Sequence, residues 1–548
     1  MSKIKIVALG GLNEIGKNMY IVDVDDKIYI FDAGSKYADD KLFGVDYIIP
    51  NFDYLIENKS KIVGIFITHG SDEQIGSLAD IITEIPDIKI YAGKFTLEII
   101  KQELEESGIK KYNLIEVHPH KKINFENESV FAIQVSYSLP DSLLYVLNTK
   151  DGAIVFTGNY IFDPTMLNHY TTDIGKLAYV GKQGVLCLMN ESVYAEKIGF
   201  TSPKHRASDY FSNILDDNDG RILINLFDNQ LFKIQELFNE VSKTSRNVVI
   251  MGKTLESIVK KGIELGYISF DVERIKTISH VSDPNIIVII SNDRQRPYST
   301  LKRVLRGADK FVTLTKEDTV VIASPIVDSS EVAATHVFDS IAKAGANLII
   351  LSKKLTSLYA SSEDIMMMIK LMNPKYYFPV MGEYRHQVEN AKLAKNLNIP
   401  EENIILSLNG EVLTLENGKR IDNGETIKVD DILIDGNTSN DVADLVLKDR
   451  EILSESGVVI VNANIDRSTK TIINKTNITT KGFVYVKDNI DMIKEAEALA
   501  TTVINDVLYE SNYIDFNKVK NGIREKLGKY FYKETGSKPM ILVIIQEI

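Results

Sequence analysis

A single cysteine, Cys187, in 548 residues excludes an internal disulfide framework. It sits in the apolar run GVLCLM, where a buried core thiol is expected rather than a nucleophile. That cysteine usage fits a reducing, cytoplasmic setting. No run of about 18 or more apolar residues occurs, so neither a transmembrane helix nor a membrane partner is expected. The opening MSKIKIVALGG is strand-like and lacks the apolar core and small-residue cleavage site of a secretory signal. Positive charge is in deficit. The 63 Lys and Arg against 76 Asp and Glu leave a net charge of −13, a field that does not draw in nucleic acid. Neither the GxxxxGK[ST] phosphate loop nor a dinucleotide fingerprint is present. There is no internal repeat and no low-complexity tract. Histidine is scarce as well, with eight in the whole chain.

What remains is the composition of ordinary globular domains, 44% hydrophobic and 25% charged; the length suggests three or four units. The first 160 or so residues read as closely spaced strands rich in Val, Ile, Tyr and Phe, with helices between some of them. That rhythm suggests a sandwich covered by helices. From about 205 to 355, helix and strand alternate, the pattern of a doubly wound parallel sheet. Residues 360–435 return to a helix and short strands, with Met366–Met368 and Met372 expected to pack against a core. The stretch DGNTSNDVADL reads as a linker, and the last 95 or so residues as a small α+β module. Two local features stand out. FITHGSDEQIGSL, from Phe66, looks like a strand ending in a polar loop that starts a helix, a common setting for metal ligands. RQRPYSTLKRVLRGADK concentrates Arg294, Arg296, Lys302, Arg303, Arg306 and Lys310. The last four have spacings that put most of them on one helical flank. This is the candidate nucleic-acid-binding surface, weighed against a merely solvated helix face. HPH at 118–120 reads as a surface turn.

The order of several motifs resembles the ribonuclease J family, in the β-CASP branch of the metallo-β-lactamase superfamily. They are ALGGLNEIGKNMY, FDAG, GVDYIIPNFDYL, GIFITHG, FTGNYIFDPT, NPKYYFPVMGEYRH, DILIDG, VLKDREILSESG, TKGFVYVKD and KPMILVIIQEI, spread over nearly the whole chain. The resemblance implies an α/β architecture. An αββα metallo-β-lactamase sandwich would be built from 1–204 and 359–435, with a doubly wound β-CASP domain inserted at 205–358. A linker at 436–455 would lead to a C-terminal oligomerisation domain at 456–548. Family members cut RNA with two divalent ions, Zn or Mn, chiefly as 5′-to-3′ exonucleases and also as endonucleases.

The family's metal loop reads His-x-His-x-Asp-His. Here those positions hold His69, Ser71, Glu73 and Gln74. The next ligand histidine is replaced by Tyr137, the bridging aspartate by Asn159 and the late histidine by Met381. A thioether is a soft ligand, unsuited to such ions. Asp32 of FDAG is kept, and the resemblance gives it the part of orienting the loop. Glu191 matches the acidic β-CASP motif. In the β-CASP histidine motif, Leu355 and Tyr359 replace both histidines while Ser357 persists. Ser357 and Tyr359 join the arginines and lysines above as RNA-binding candidates. The glycine-rich loop near the RNA 5′ phosphate becomes SNDRQRPYS, without its glycines. Of seven ligand positions only His69 is unchanged, and Glu73 keeps a carboxylate. The expectation is therefore no dinuclear site and no cofactor, with at most one weakly bound cation at His69 and Glu73. The chain looks like the poorly active second-paralogue type of the family. Its expected partners are an active ribonuclease J, a second copy of itself, RNA, and proteins of an RNA-degradation complex. Its expected setting is RNA decay, mRNA turnover and rRNA maturation. An active nuclease with remodelled ligands and a protein scaffold with no RNA role are the alternatives.

Overall fold

The computed structural model describes residues 2–548 apart from 39–41, 43, 167, 293–297, 327–330, 357–358, 436–443, 467, 485–488 and 511–514. Two compact units emerge, one of Met1–Tyr37 with Asp46–Leu433 and one of Ala38–Val45 with Ile434–Ile548.

The first unit holds two kinds of layer. An eight-stranded sheet runs in the order Lys419–Ile421, Leu413–Glu416, Lys3–Gly10, Met19–Val24, Lys27–Phe31, Ile62–Phe66, Lys89–Ala92, Asn113–Glu116. A six-stranded sheet runs Tyr376–Val380, Val185–Glu191, Gly152–Phe156, Leu143–Thr149, Glu128–Gln134, Ile123–Phe125. Their inner faces bury one core that includes Ile6, Tyr20, Phe31 and Phe66 from the first sheet and Tyr145, Phe156, Met189 and Phe378 from the second. Alternate residues of the second sheet, among them Val155, Leu188 and Tyr377, point the other way. There they meet Leu177, Met368, Met372 and Ala394 from helices Ile174–Gln183, Ser362–Met372 and Tyr384–Asn396. Burial on both faces explains why VLCLMNE is buried at every position. Cys187 lies inside this strand, and burial pushes its thiol up to about 12. An inert core thiol results.

The third sheet is wholly parallel, in the order Ile275–Lys276, Asn247–Met251, Ile286–Asn292, Ile222–Phe227, Thr319–Ile322, Asn347–Ile350. Ile222, Ile224 and Leu226 face one apolar cluster with helix Leu231–Val241, and Leu223 faces another with helix Glu331–Ala344. This is a doubly wound α/β layer. The chain thus combines an αββα metallo-β-lactamase sandwich, a β-CASP sheet and a small α+β module. The sequence pattern implied a helical flank for Lys302 through Lys310, but the helix spans only Ser299–Leu305. Leu301 and Val304 take its buried face, and Gly307, with φ at +65°, follows one residue after its end. Lys310 lies beyond the helix.

In the second unit, Val458–Asp466 pairs in parallel with Met540–Glu547 and antiparallel with Asn477–Lys481. Val459, Val461, Ala463 and Ile465 alternate onto a core shared with helices Ile490–Glu510 and Phe516–Thr535. The helix Asp444–Ser456 covers the end of the expected 436–455 linker. Among the described residues no helix is long and apolar enough to cross a membrane.

Candidate functional site

The loop from Phe66 is held from below by the FDAG segment. Asp32 is buried just past the strand Lys27–Phe31, with φ at +59°. Its Oδ1 accepts hydrogen bonds from the Thr68 amide at 2.8 Å and the Thr68 hydroxyl at 3.0 Å. Thr68 Oγ1 also lies 3.0 Å from His69 Nδ1. The Thr68 hydroxyl thus bridges Asp32 and His69. Backbone bonds Ala33 N to Gln74 O at 2.7 Å, Ser35 N to Asp72 O at 2.9 Å and Ser77 N to Ala33 O at 2.9 Å lace the two segments together. Gly34 passes so close that a Cβ would lie 1.7 Å from the Glu73 carbonyl oxygen. Burial raises the Asp32 carboxyl well above the carboxylate range, against the lowering effect of the Thr68 bonds.

The substituted ligand positions converge on one buried centre. Gln74 Nε2 donates to Asn159 Oδ1 at 3.2 Å. Asn159 Nδ2 donates to Glu191 Oε2 at 2.7 Å and to the Met381 sulfur at 3.6 Å. Glu191 Oε1 also accepts from the backbone amides of Tyr160 at 3.0 Å and Ala360 at 3.1 Å. Both neighbours of Asn159 Nδ2 are acceptors, so the amide orientation is fixed by its surroundings. Burial outweighs the three donated bonds and pushes the Glu191 carboxyl up to about 8. Met381, with φ at +60°, is anchored by its amide donating to the Tyr20 hydroxyl at 3.1 Å. The Tyr137 ring packs on His69 with centroids 4.6 Å apart. Beyond it stand Tyr359 and Tyr194.

These residues do not fit a metal pair. Asn159 turns N–H groups, not a carboxylate, toward its neighbours. Met381 offers sulfur, and Tyr137 lays a ring against the one retained imidazole. Among the described residues, no group of three or more His, Cys, Asp or Glu is arranged to hold an ion. Glu73 is buried on the short helix Asp72–Ile75, and Ser71 is buried immediately before it. Cys187 and the exposed His118 and His120 lie elsewhere; those two histidines face Glu116 and Asp173.

The other predicted residues are placed differently. Leu355 is buried in a core of the parallel sheet rather than in the centre. Lys302 is half-buried, Arg303 is exposed and tied to Asp309 at 2.8 Å, and Arg306 closes the helix. Arg294, Arg296 and Ser357 lie outside the described residues. Three contributors are not evident from the motif alone. Thr68 links Asp32 to His69, Tyr20 anchors Met381, and Tyr194 extends the rings. THG, NMY and ESVYAEK contain them, but their partners are remote in sequence.

Two family models match the chain. Ribonuclease J, beta-CASP domain covers residues 219–341, and Ribonuclease J C-terminal domain covers 445–548. Ribonuclease J2 of Bacillus subtilis (strain 168) is 33% identical over 550 residues, spanning 100% of this chain and 99% of that one. Ribonuclease J 2 of Streptococcus pyogenes serotype M3 is 33% identical over 555 residues, spanning 100% of both chains. Ribonuclease J 2 of Staphylococcus aureus (strain NCTC 8325 / PS 47) is 33% identical over 554 residues, spanning 100% and 98%. A crystal structure of a protein of unknown function from Enterococcus faecalis V583 shares the fold. Its TM-score is 0.53 at 14% identity, over 75% of this chain and 100% of that one. With its two matched domains and full-length relatives, the chain belongs to the ribonuclease J family.

Proposed function

We propose that this chain is a ribonuclease J-type subunit of RNA decay, mRNA turnover and rRNA maturation that has lost, or nearly lost, its own hydrolytic step. It assembles with an active ribonuclease J, through residues 456–548, and modulates it. One observation carries this reading. Hydrogen bonds join Gln74, Asn159, Glu191 and Met381 to one another where the family's reaction requires a metal pair. Without metal-bound hydroxide there is no nucleophile for the phosphodiester, and no cation to stabilise the charge that develops on it. The retained FDAG and THG frame supports a kept fold. The 33% identity to proteins named Ribonuclease J2 extends over both domains.

The test is purified protein with 5′-monophosphorylated RNA and Mn²⁺ or Zn²⁺, beside a His69→Ala, Glu73→Ala double variant. No turnover above the variant is expected. Turnover that disappears in the variant would establish the active-nuclease alternative and sink this reading.

A further inference from the structure

An asparagine followed by glycine can be attacked by its own backbone. Glycine has no Cβ to shield its nitrogen or to hinder the turn that carries that nitrogen onto the asparagine amide carbon. Four such pairs occur in the chain, Asn409–Gly410, Asn417–Gly418, Asn423–Gly424 and Asn521–Gly522. The fold treats them differently.

Three are held. Asn409 Oδ1 accepts from Leu12 N at 3.0 Å, and its Nδ2 donates to Leu12 O at 3.1 Å and to Glu14 Oε1 at 2.8 Å. The Gly410 amide is itself committed, donating to Ala8 O at 2.8 Å. Asn417 Oδ1 accepts from Ser2 N at 3.2 Å, the Asn417 amide donates to Ser2 O at 2.9 Å, and Gly418 is buried. Asn521 and Gly522 lie inside helix Phe516–Thr535, where the Gly522 amide belongs to the helical ladder.

Asn423 differs. Both it and Gly424 are exposed, just after strand Lys419–Ile421. Its Oδ1 accepts from Glu425 N, and its Nδ2 reaches Thr414 Oγ1 and Glu425 Oε2, each at 3.3 Å. These bonds are long and give a loose hold. The first turns the side-chain carbonyl back over the chain, as asparagine does in turns. The ring it closes contains both Asn423 Cγ and Gly424 N, and the bond to Oδ1 draws electrons away from Cγ. Among the described residues the Gly424 amide donates no hydrogen bond. Nothing lies within 4 Å of where a Cβ at Gly424 would stand, so the turn has room to close.

We propose that Asn423 is a self-modification site, where the chain converts this asparagine to aspartate and isoaspartate. Gly424 N attacks Asn423 Cγ and gives its proton to solvent hydroxide. The bond from Cγ to the side-chain nitrogen breaks, and ammonia leaves. The succinimide ring so formed takes up one water at either carbonyl, and nothing is oxidised or reduced. The product bears a new charge between Asp422 and Glu425 and has lost both Nδ2 bonds. Glu425 is the partner of Lys5 at 2.5 Å, and its carbonyl accepts from Val412 N at 3.1 Å. The change therefore bears on the segments that flank the eight-stranded sheet. It is independent of the proposed function.

The test is incubation of the full-length protein at pH 6 and pH 9, folded and in guanidinium chloride, followed by proteolysis and mass spectrometry of the peptides that carry the four pairs. In the folded protein Asn423 should be converted at least about tenfold faster than Asn409, Asn417 and Asn521, which react only when the structure around them opens. Conversion should be faster at pH 9, because the attacking nitrogen must lose its proton. In denaturant the four rates should converge. Asn423→Gln should abolish the mass change in its own peptide and leave the other three peptides as they are. Conversion at Asn423 no faster than at the other three in the folded protein overturns the proposal, as does a rate that does not rise with pH. Four rates that stay as far apart in denaturant also overturn it, because the fold would then not be what selects Asn423.

Discussion

An aspartate at position 159 would present only oxygens to Glu191, whereas Asn159 presents N–H groups to both Glu191 and Met381. With Gln74 and Met381, that change puts a hydrogen-bonded chain where the family places metal ligands. Restoring the carboxylate by Asn159→Asp should therefore not restore activity. It removes the N–H donors to Glu191 and Met381 and buries a second carboxyl beside Glu191, and should lower stability by about 2–3 kcal/mol, read as a shift in urea midpoint at constant slope. Glu191 adds a pH dependence. Its folded-state value of about 8 lies above the ordinary 4.5, so the folded protein holds a proton that the unfolded chain has released between those limits. Its contribution to stability is complete below about 4.5, falls as pH rises, and is gone above about 8. Urea unfolding at pH 5, 7 and 9 should show that decline, and Glu191→Gln should remove this part of it. An identical decline in the variant would assign the effect to other groups.

At the scale of elements, the loop geometry depends on a close approach between two segments. Gly34→Ala would drive a methyl into the Glu73 carbonyl, 1.7 Å away, with backbone on both sides and no flexible side chain to yield. Loss of about 3 kcal/mol or more is expected, seen as a collapsed thermal midpoint; an unchanged midpoint would mean the two segments are not packed this tightly. How far the sequence reveals this site follows from the distances along the chain. The substituted ligand positions are legible because THG, SYSLP, FTGN and PVMGE each carry their own register. The chain that joins them is not, because Gln74 and Asn159 are 85 residues apart, and Asn159 and Met381 are 222 apart. Strand alternation such as Ile222, Ile224 and Leu226 against Leu223 is local and shows the doubly wound layer directly. Where a helix stops is set by burial and by one glycine. The basic segment therefore looked longer as a helix than Ser299–Leu305, and the linker hid Asp444–Ser456.

At the scale of the whole molecule, both family domains are present while the reaction centre is remodelled. On the proposed function, the chain acts through a partner. Mixed with an active ribonuclease J, the chain should co-purify, and the mixture should differ in rate or cleavage position from the active protein alone. Additive behaviour with no complex would favour neither assembly nor modulation. The central claim, however, concerns the metal. Elemental analysis after equilibrium dialysis against Mn²⁺ or Zn²⁺ tests it most directly. Well below one tightly held ion per chain is expected, unchanged by Asn159→Ala. Two ions per chain, lost in His69→Ala, would contradict it.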